Sequence, residues 1–364
     1  MRKQRIDMLL LSIVCLIVLI GAFVLFSASI GLISRSDKSM YDIILKQLFL
    51  GVVFGFILLF VFSKVPYEFW RRVSLPLFLF SVALTLLVFA PKIGFSYGGA
   101  KRWLNFGFLS LQPSEILKFG FVAYLASWLS SRKTNVSSFK LGFLPFLVMI
   151  GVLAVVLILE PDIGTLGVIM ITAGALFFIG GGKFTQLGSL VFLCVGLVAV
   201  LAFLKPYVMS RVLVFFNPLL DPQGIGYQIN QSLIAIGSGG IFGKGFGMSI
   251  QKFSFLPEPI GDSIFAVIAE EFGFVGSVFL IGIFLAFLFR GFQISKSAPD
   301  DFGRLLGAGI VILIVGQSFV NMGALVGILP LTGLPLLFIS QGGTALAITL
   351  AEVGILLNIS KFSR

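Results

Sequence analysis

The chain has 364 residues, 58% of them hydrophobic and only 11% charged, with 42 Phe and a mean hydropathy of +1.11, which excludes a water-soluble globule. Long unbroken apolar runs exclude a transmembrane barrel, whose strands alternate over about ten residues. The net charge of +11 comes without a basic helix or an aromatic stacking pattern, so it indicates basic membrane loops and no nucleic acid. Cys15 and Cys194 both lie inside apolar runs and make neither a disulfide framework nor a metal knuckle. The chain contains no histidine, so any acid, base or ligand must come from carboxylates, lysines or a bound ion.

The basic start MRKQR precedes an apolar run over residues 8–27 that is long enough to span a bilayer and is not closed by a small-residue cleavage site. It predicts a retained first helix. Further spans are predicted over residues 45–63, 74–90, 114–130, 141–159, 164–181, 186–204, 263–289, 305–329 and 336–358. The fold class is an all-α polytopic membrane protein, one domain over residues 1–364. It has about ten transmembrane helices and a large extracytoplasmic loop between the seventh and eighth.

An even number of spans puts both ends on one side, and the positive-inside rule makes that side cytoplasmic. There fall Arg2, Lys3, Arg5, Lys64, Arg71, Arg72, Arg132, Lys133, Lys140, Lys183, Arg290, Lys296, Arg304, Lys361 and Arg364. The outer loops over residues 91–113 and 205–261 keep Lys92, Lys101, Arg102, Lys205, Arg211, Lys244 and Lys252 against the rule. Either these cations are merely solvated, as long loops allow, or they meet an anion outside.

In the first outer loop, Trp103 and Phe106 stand among Lys101 and Arg102, which suits either anchoring at the headgroup level or contact with phosphate. Pro113 then opens a helix on which Glu115 and Lys118 share a face, a buried lock or a substrate contact. Glu160, Pro161 and Asp162 form a tight corner. Asp162 there suits the cap of the helix that follows, and the two carboxylates also have the chemistry to hold a divalent cation, Mg or Mn, beside a phosphate. The short amphipathic stretch over residues 229–236 predicts a re-entrant or interfacial segment. Glycines 237, 239, 240, 243, 245 and 247, with Lys244 and Lys252 nearby, predict a phosphate cradle.

Asp262 opens the eighth span, where it serves either as a cap or as a reactive carboxylate at the outer membrane edge. Ala266, Ala269, Gly273 and Gly276 give that span a small-residue face for close packing. Glu270 and Glu271 lie deeper and diverge, which predicts bonds to neighbouring helices in preference to catalysis.

Six blocks in this order, GAKRW, QPSEILK, EPDIGT, RVLVFFNPLLDPQGIGYQINQSLIAIGSGGIFGKGFG, QKFSFLPEPIGDSIFAVIAEEFGFVG and NMGALVGILPLTGLPLLFISQGG, resemble the shape, elongation, division and sporulation family of bacterial membrane proteins, which includes FtsW, RodA and SpoVE. The resemblance runs nearly the whole chain. It implies ten transmembrane helices in the cytoplasmic membrane, polymerisation of lipid II into peptidoglycan strands, and work beside a class B penicillin-binding protein among divisome or elongasome membrane proteins. It places the family's outer aspartate on Asp262, its Glu and Lys pair on Glu115 and Lys118, its loop arginines on Arg102 and Arg211, and its Pro-Asp-x-Gly-Thr aspartate on Asp162. The chain departs from the family's usual residues at Gly261, Ser263, Glu160 and Gln341, and its LPEP wording is similar to the division and sporulation branch.

Taken together, these readings make Asp262 the base that takes a proton from an acceptor sugar. Lys101, Arg102, Arg211, Lys244 and Lys252 meet the donor's pyrophosphate, with a divalent cation and no organic cofactor. Two other classes use the same features. A lipid II flippase would need the cationic cavity without Asp262, and a non-catalytic scaffold for a penicillin-binding protein would need only its lipid-facing helices.

Overall fold

Apolar runs of about twenty residues fold as helices because a chain in hydrocarbon must satisfy its own backbone groups. The computed structural model describes residues 6–31, 44–90, 93–97, 100–105, 110–132, 135–221 and 223–362. Arg2, Lys3, Arg5, Lys92, Phe106, Lys133 and Arg364 lie outside them. The long helices are α1 (Met8–Ile30), α2 (Ile44–Lys64), α3 (Tyr67–Phe89), α4 (Pro113–Ser131), α5 (Phe139–Leu159), α6 (Ile163–Ile179) and α7 (Phe184–Leu204). Two shorter helices follow, α8 (Pro206–Phe216) and α9 (Ile225–Ser238), and then three long ones, α10 (Ile264–Lys296), α11 (Asp301–Leu325) and α12 (Gly343–Ser360).

Eight of the long helices are apolar and long enough to cross a membrane. The other two are α4, which carries Glu115 and Lys118, and the 17-residue α6, which starts at Asp162. Glu115 and Lys118 make α4 more polar than the spans, whereas α6 is as apolar as they are and falls short only in length.

α11 and α12 form the centre, 78% and 83% buried along their most apolar stretches, while α7 is 11% buried and leans mainly on α8 and α6. α12 packs on α2, and α11 on α10, α4 and α6. The Asp7 amide donates to Ser360 Oγ, so the first and last helices bring their outer ends to one face of the bundle. The connections after α3, α5, α7 and α11 lie on the opposite face.

That opposite face corrects the all-α expectation in one place. A three-stranded antiparallel sheet, β1 (Gly94–Tyr97), β2 (Ala100–Asn105) and β3 (Ser110–Leu111), stands between α3 and α4. Its strands are too short for a period-two pattern to stand out from a loop rich in aromatic and basic residues.

The last span also starts at Gly343 and not at residue 336. Residues Leu336 to Ile339 are buried without being helical. Their backbone is held from outside: Ser340 Oγ accepts from the Leu336 amide and donates to the Gly261 carbonyl, and the Gln341 amide donates to the Ile260 carbonyl. Irregular backbone inside a bundle survives only when neighbours supply such partners.

α10 is broken at Gly273, whose φ of 66° and ψ of −161° no helix accommodates. The break frees the carbonyls of Glu270 and Glu271 and the amides of Phe274 and Val275. The glycine-rich segment after α9 takes all four: the Lys244 and Gly245 amides donate to Glu270 and Glu271, and the Gly240 and Ile241 carbonyls accept from Phe274 and Val275. A Cβ on Gly243 (φ 80°) would lie 2.2 Å from the Glu271 carbonyl oxygen, and one on Gly239 2.0 Å from that of Ala269. These glycines are required for close approach of two backbones, which corrects the phosphate-cradle reading.

Candidate active site

The fold places Asp262 on the face opposite the chain ends and surrounds it with groups from α8, α9, α11 and the loop after α11. Asp262 is half-buried in the turn before α10, whose N-cap is Ser263. No side chain caps that helix, so the carboxylate of Asp262 is not spent on the first turn. Its main chain is fixed from below: Asn321 Nδ2 on α11 donates to the carbonyls of Asp262 and Leu334, at 2.7 Å each. Its side chain is oriented from α9, where Gln228 Nε2 donates to Asp262 Oδ1 at 3.2 Å and to Ser263 Oγ at 3.0 Å.

Among the described residues Asp262 joins no salt bridge. Burial pushes its carboxyl up to about 6, against the Gln228 hydrogen bond; the Glu258 charge adds to the rise and Arg211 opposes it. A carboxylate of that strength is ionised at neutral pH and still a usable base.

Arg211 reaches the same place from α8. Its Nη1 donates to the Thr332 carbonyl at 3.3 Å in the loop between α11 and α12. Gly333, with φ at 69°, is exposed beside both groups: a Cβ there would lie 3.8 Å from Asp262 Oδ2 and 4.0 Å from Arg211 Nη2. The absence of a side chain leaves the space between base and cation open. Burial and the neighbouring charge of Arg102 lower the Arg211 guanidinium from its ordinary value, with Tyr207, Asp162 and Asp262 acting the other way. Two half-buried arginines side by side have the chemistry to receive an anion.

Arg102 comes from β2, and its Nη2 donates to the Pro161 carbonyl in the corner between α5 and α6. Asp162 in that corner caps α6: its Oδ1 accepts from the Thr165 amide at 3.2 Å and its Oδ2 from Thr165 Oγ1 at 2.8 Å. Ser114 Oγ of α4 is 3.4 Å from the same Oδ2. The capping reading therefore fits the geometry. As a metal ligand Asp162 fits poorly, because both its oxygens are engaged and no three acidic or cysteine groups gather into a metal cluster among the described residues.

The other sequence candidates are placed elsewhere. Lys101 is exposed and next to Arg102 on β2, so strand alternation turns it to the other face of the sheet. Glu115 and Lys118 pair at 2.9 Å, each 2% exposed, and Lys118 Nζ also donates to Gln317 Oε1. Gln317 Nε2 in turn donates to the Pro335 carbonyl at 3.2 Å, so the pair braces the loop beneath the site.

Lys252 and Lys244 are corrections. Lys252 is fully buried against Glu271 at 2.6 Å and Ser27 Oγ at 2.9 Å, and Lys244 pairs with Glu270 at 2.7 Å. Both sit at the break in α10, about 12 Å below Asp262 at the helical rise per residue. Their charges are neutralised there by Glu271 and Glu270 and are not directed at Asp262. Glu270 and Glu271 hold that break together, consistent with the expected structural bonds.

Sequence reasoning missed Tyr207, Gln228, Asn321 and Gly333. Tyr207 and Arg211 are four apart on α8, and Gln317 and Asn321 four apart on α11; such polar pairs on one face of an apolar helix are the signal that was present. Gly333 had none, because only the fold brings it to the aspartate.

Comparison with known proteins agrees along the whole chain. The FtsW, RodA and SpoVE family model, described as cell cycle protein, matches residues 7–364. The chain is 37% identical to stage V sporulation protein E of Bacillus subtilis (strain 168), over 100% of this chain and 99% of that one. It is 36% identical to a probable peptidoglycan glycosyltransferase FtsW of Geobacter sp. (strain M18), over 99% and 98%. Among solved structures, a chain from "Structural coordination of polymerization and crosslinking by a peptidoglycan synthase complex" superposes with a TM-score of 0.80 at 28% identity, covering 98% of this chain and 97% of that one. Thermus thermophilus rod shape determining protein RodA gives 0.71 at 26% identity, covering 98% and 96%. With the family model, the curated relatives and the solved structures all matching nearly its whole length, the chain belongs to the FtsW, RodA and SpoVE family of multi-pass membrane proteins.

Proposed function

We propose that this protein is a peptidoglycan glycosyltransferase that polymerises lipid II during cell division. It would work at the outer face of the bacterial cytoplasmic membrane, with both chain ends in the cytoplasm. The relatives named FtsW and the family description as cell cycle protein support the division role, and the basic residues near the chain ends support the orientation. The observation that carries the chemistry is a carboxylate and a guanidinium, Asp262 and Arg211, that flank exposed Gly333 without pairing with each other.

In the reaction, the acceptor sugar's hydroxyl oxygen attacks the anomeric carbon of the donor as its proton passes to Asp262. The bond from that carbon to the pyrophosphate oxygen breaks, and undecaprenyl pyrophosphate leaves with inversion. Charge then accumulates on the pyrophosphate, where Arg211 and Arg102, neither in a salt bridge among the described residues, supply the positive charge. Asn321 and Gln228 act earlier, by holding Asp262 in place before substrate arrives. A class B penicillin-binding protein is the expected partner, in keeping with the match to a chain of a peptidoglycan synthase complex.

The test is glycan synthesis from purified lipid II, with and without the penicillin-binding protein. Asp262→Asn is expected to lower the rate by about 10²–10⁴-fold while the protein stays folded. Normal strands from the Asn variant would overturn the role of Asp262, and lipid II transport across vesicles with no polymer formed would favour the flippase instead.

A further inference from the structure

The corner between α5 and α6 holds two buried polar groups that bond to nothing. Glu160 is fully buried, and neither of its carboxyl oxygens has a hydrogen-bond partner; the Nε of Arg102 is likewise buried without one. The two side chains lie in one electrostatic neighbourhood with Asp162. Arg102 nevertheless gives its Nη2 to the Pro161 carbonyl and forms no ion pair with Glu160 among the described residues. A carboxylate sealed from water, beside a second carboxylate and with no donor, cannot remain charged. As a neutral acid it is far less costly to bury than as an ion.

We propose that Glu160 is a positioning residue for Arg102: a protonated carboxyl sealed beside the guanidinium that leaves its positive charge to the anionic lipid-linked substrate, and that would capture that charge on losing its proton. This rests on the reading above in which Arg102 meets the donor's pyrophosphate. Burial first, then the Asp162 charge, pushes the Glu160 carboxyl up to about 9, with Arg102 opposing. The sign follows. Below that pH Glu160 is neutral and Arg102 is available; above it the new anion pairs with Arg102 and the substrate loses a cation. The charged and titratable groups facing this corner are Asp162 beside it, Arg102 from β2, and Arg211 and Tyr207 from α8. Burial raises Tyr207 from its ordinary value, which moves its titration away from that of Glu160.

The experiment is a pH series of lipid II polymerisation by the full chain with its penicillin-binding protein, for wild type, Glu160→Gln, Glu160→Ala and Arg102→Ala. Wild type should show a KM for lipid II that roughly doubles near pH 9 and rises about tenfold per unit beyond, with kcat changing far less. Glu160→Gln, which keeps the shape without the proton, should match wild type at pH 7 and lack that rise. Glu160→Ala should also lack it, and Arg102→Ala should have a high KM at every pH. An infrared difference spectrum of wild type minus Glu160→Gln at pH 7 should contain a protonated carboxyl band.

The same alkaline rise in Glu160→Gln as in wild type, or no protonated carboxyl in the difference spectrum, would overturn the proposal even if Arg102→Ala behaves as expected. An Arg102→Ala variant with a normal KM would instead overturn the role of Arg102 in substrate binding, and the infrared band would then still report the state of Glu160.

Discussion

α10 follows a carboxylate that has no ionic partner and breaks at Gly273, eleven residues after it, beside two carboxylates that each have one. Asp262 keeps only a side-chain hydrogen bond from Gln228, whereas Glu271 is closed against Lys252 and Ser27, and Glu270 against Lys244, Ser249 and two backbone amides. The same residue class therefore does opposite work at two depths. Buried charges that are fully paired keep an irregular backbone in one arrangement, and a charge left uncommitted beside an open space is available for a reaction.

Exchanging the two roles should separate rate from stability. Asp262→Asn removes reactivity and a raised carboxyl together, so its large loss of rate should come with unchanged or higher thermal stability in detergent. Lys252→Met should do the reverse: Glu271 is left charged and buried, costing about 3–5 kcal/mol, and thermal unfolding should move down accordingly. The double change Lys252→Met with Glu271→Leu should recover most of that loss, since it removes both charges. A Lys252→Met protein as stable as wild type would mean that the break in α10 does not depend on its ion pair.

Gly243→Ala probes the same splint through the backbone. The new methyl meets the Glu271 carbonyl in a left-handed conformation, and a cost of about 1–3 kcal/mol is expected, read from thermal unfolding. At the site, Arg211→Lys keeps the charge and loses the planar fork; KM for lipid II should rise about tenfold with kcat little changed. The smallest effect is on pH. Asp262 must be ionised to accept a proton, so kcat/KM should fall to about half near pH 6 and continue down below it, a limb that depends on Asp262 alone.

How much of this was legible differs by residue. Asp262, Arg102 and Arg211 stand out in a sequence because a charge near an apolar span is expensive, and the structure gathers them. Lys244 and Lys252 stand out for the same reason and were misread, because neither composition nor spacing says which partner a lysine has. The glycines around them were noticed as permissive, but not that their permission is used by a broken helix more than twenty-five residues further on.

By itself the sequence determined the membrane class, the approximate spans and the family, and singled out Asp262 as an acid to examine, since each depends on local apolar length or on residues in fixed order. Only the tertiary structure decided which charges cancel, where α10 breaks and what mends it, and that Glu160 is sealed beside Arg102. Those outcomes depend on contacts between segments tens to hundreds of residues apart, and the energy of a buried charge is set by the neighbour the fold brings to it.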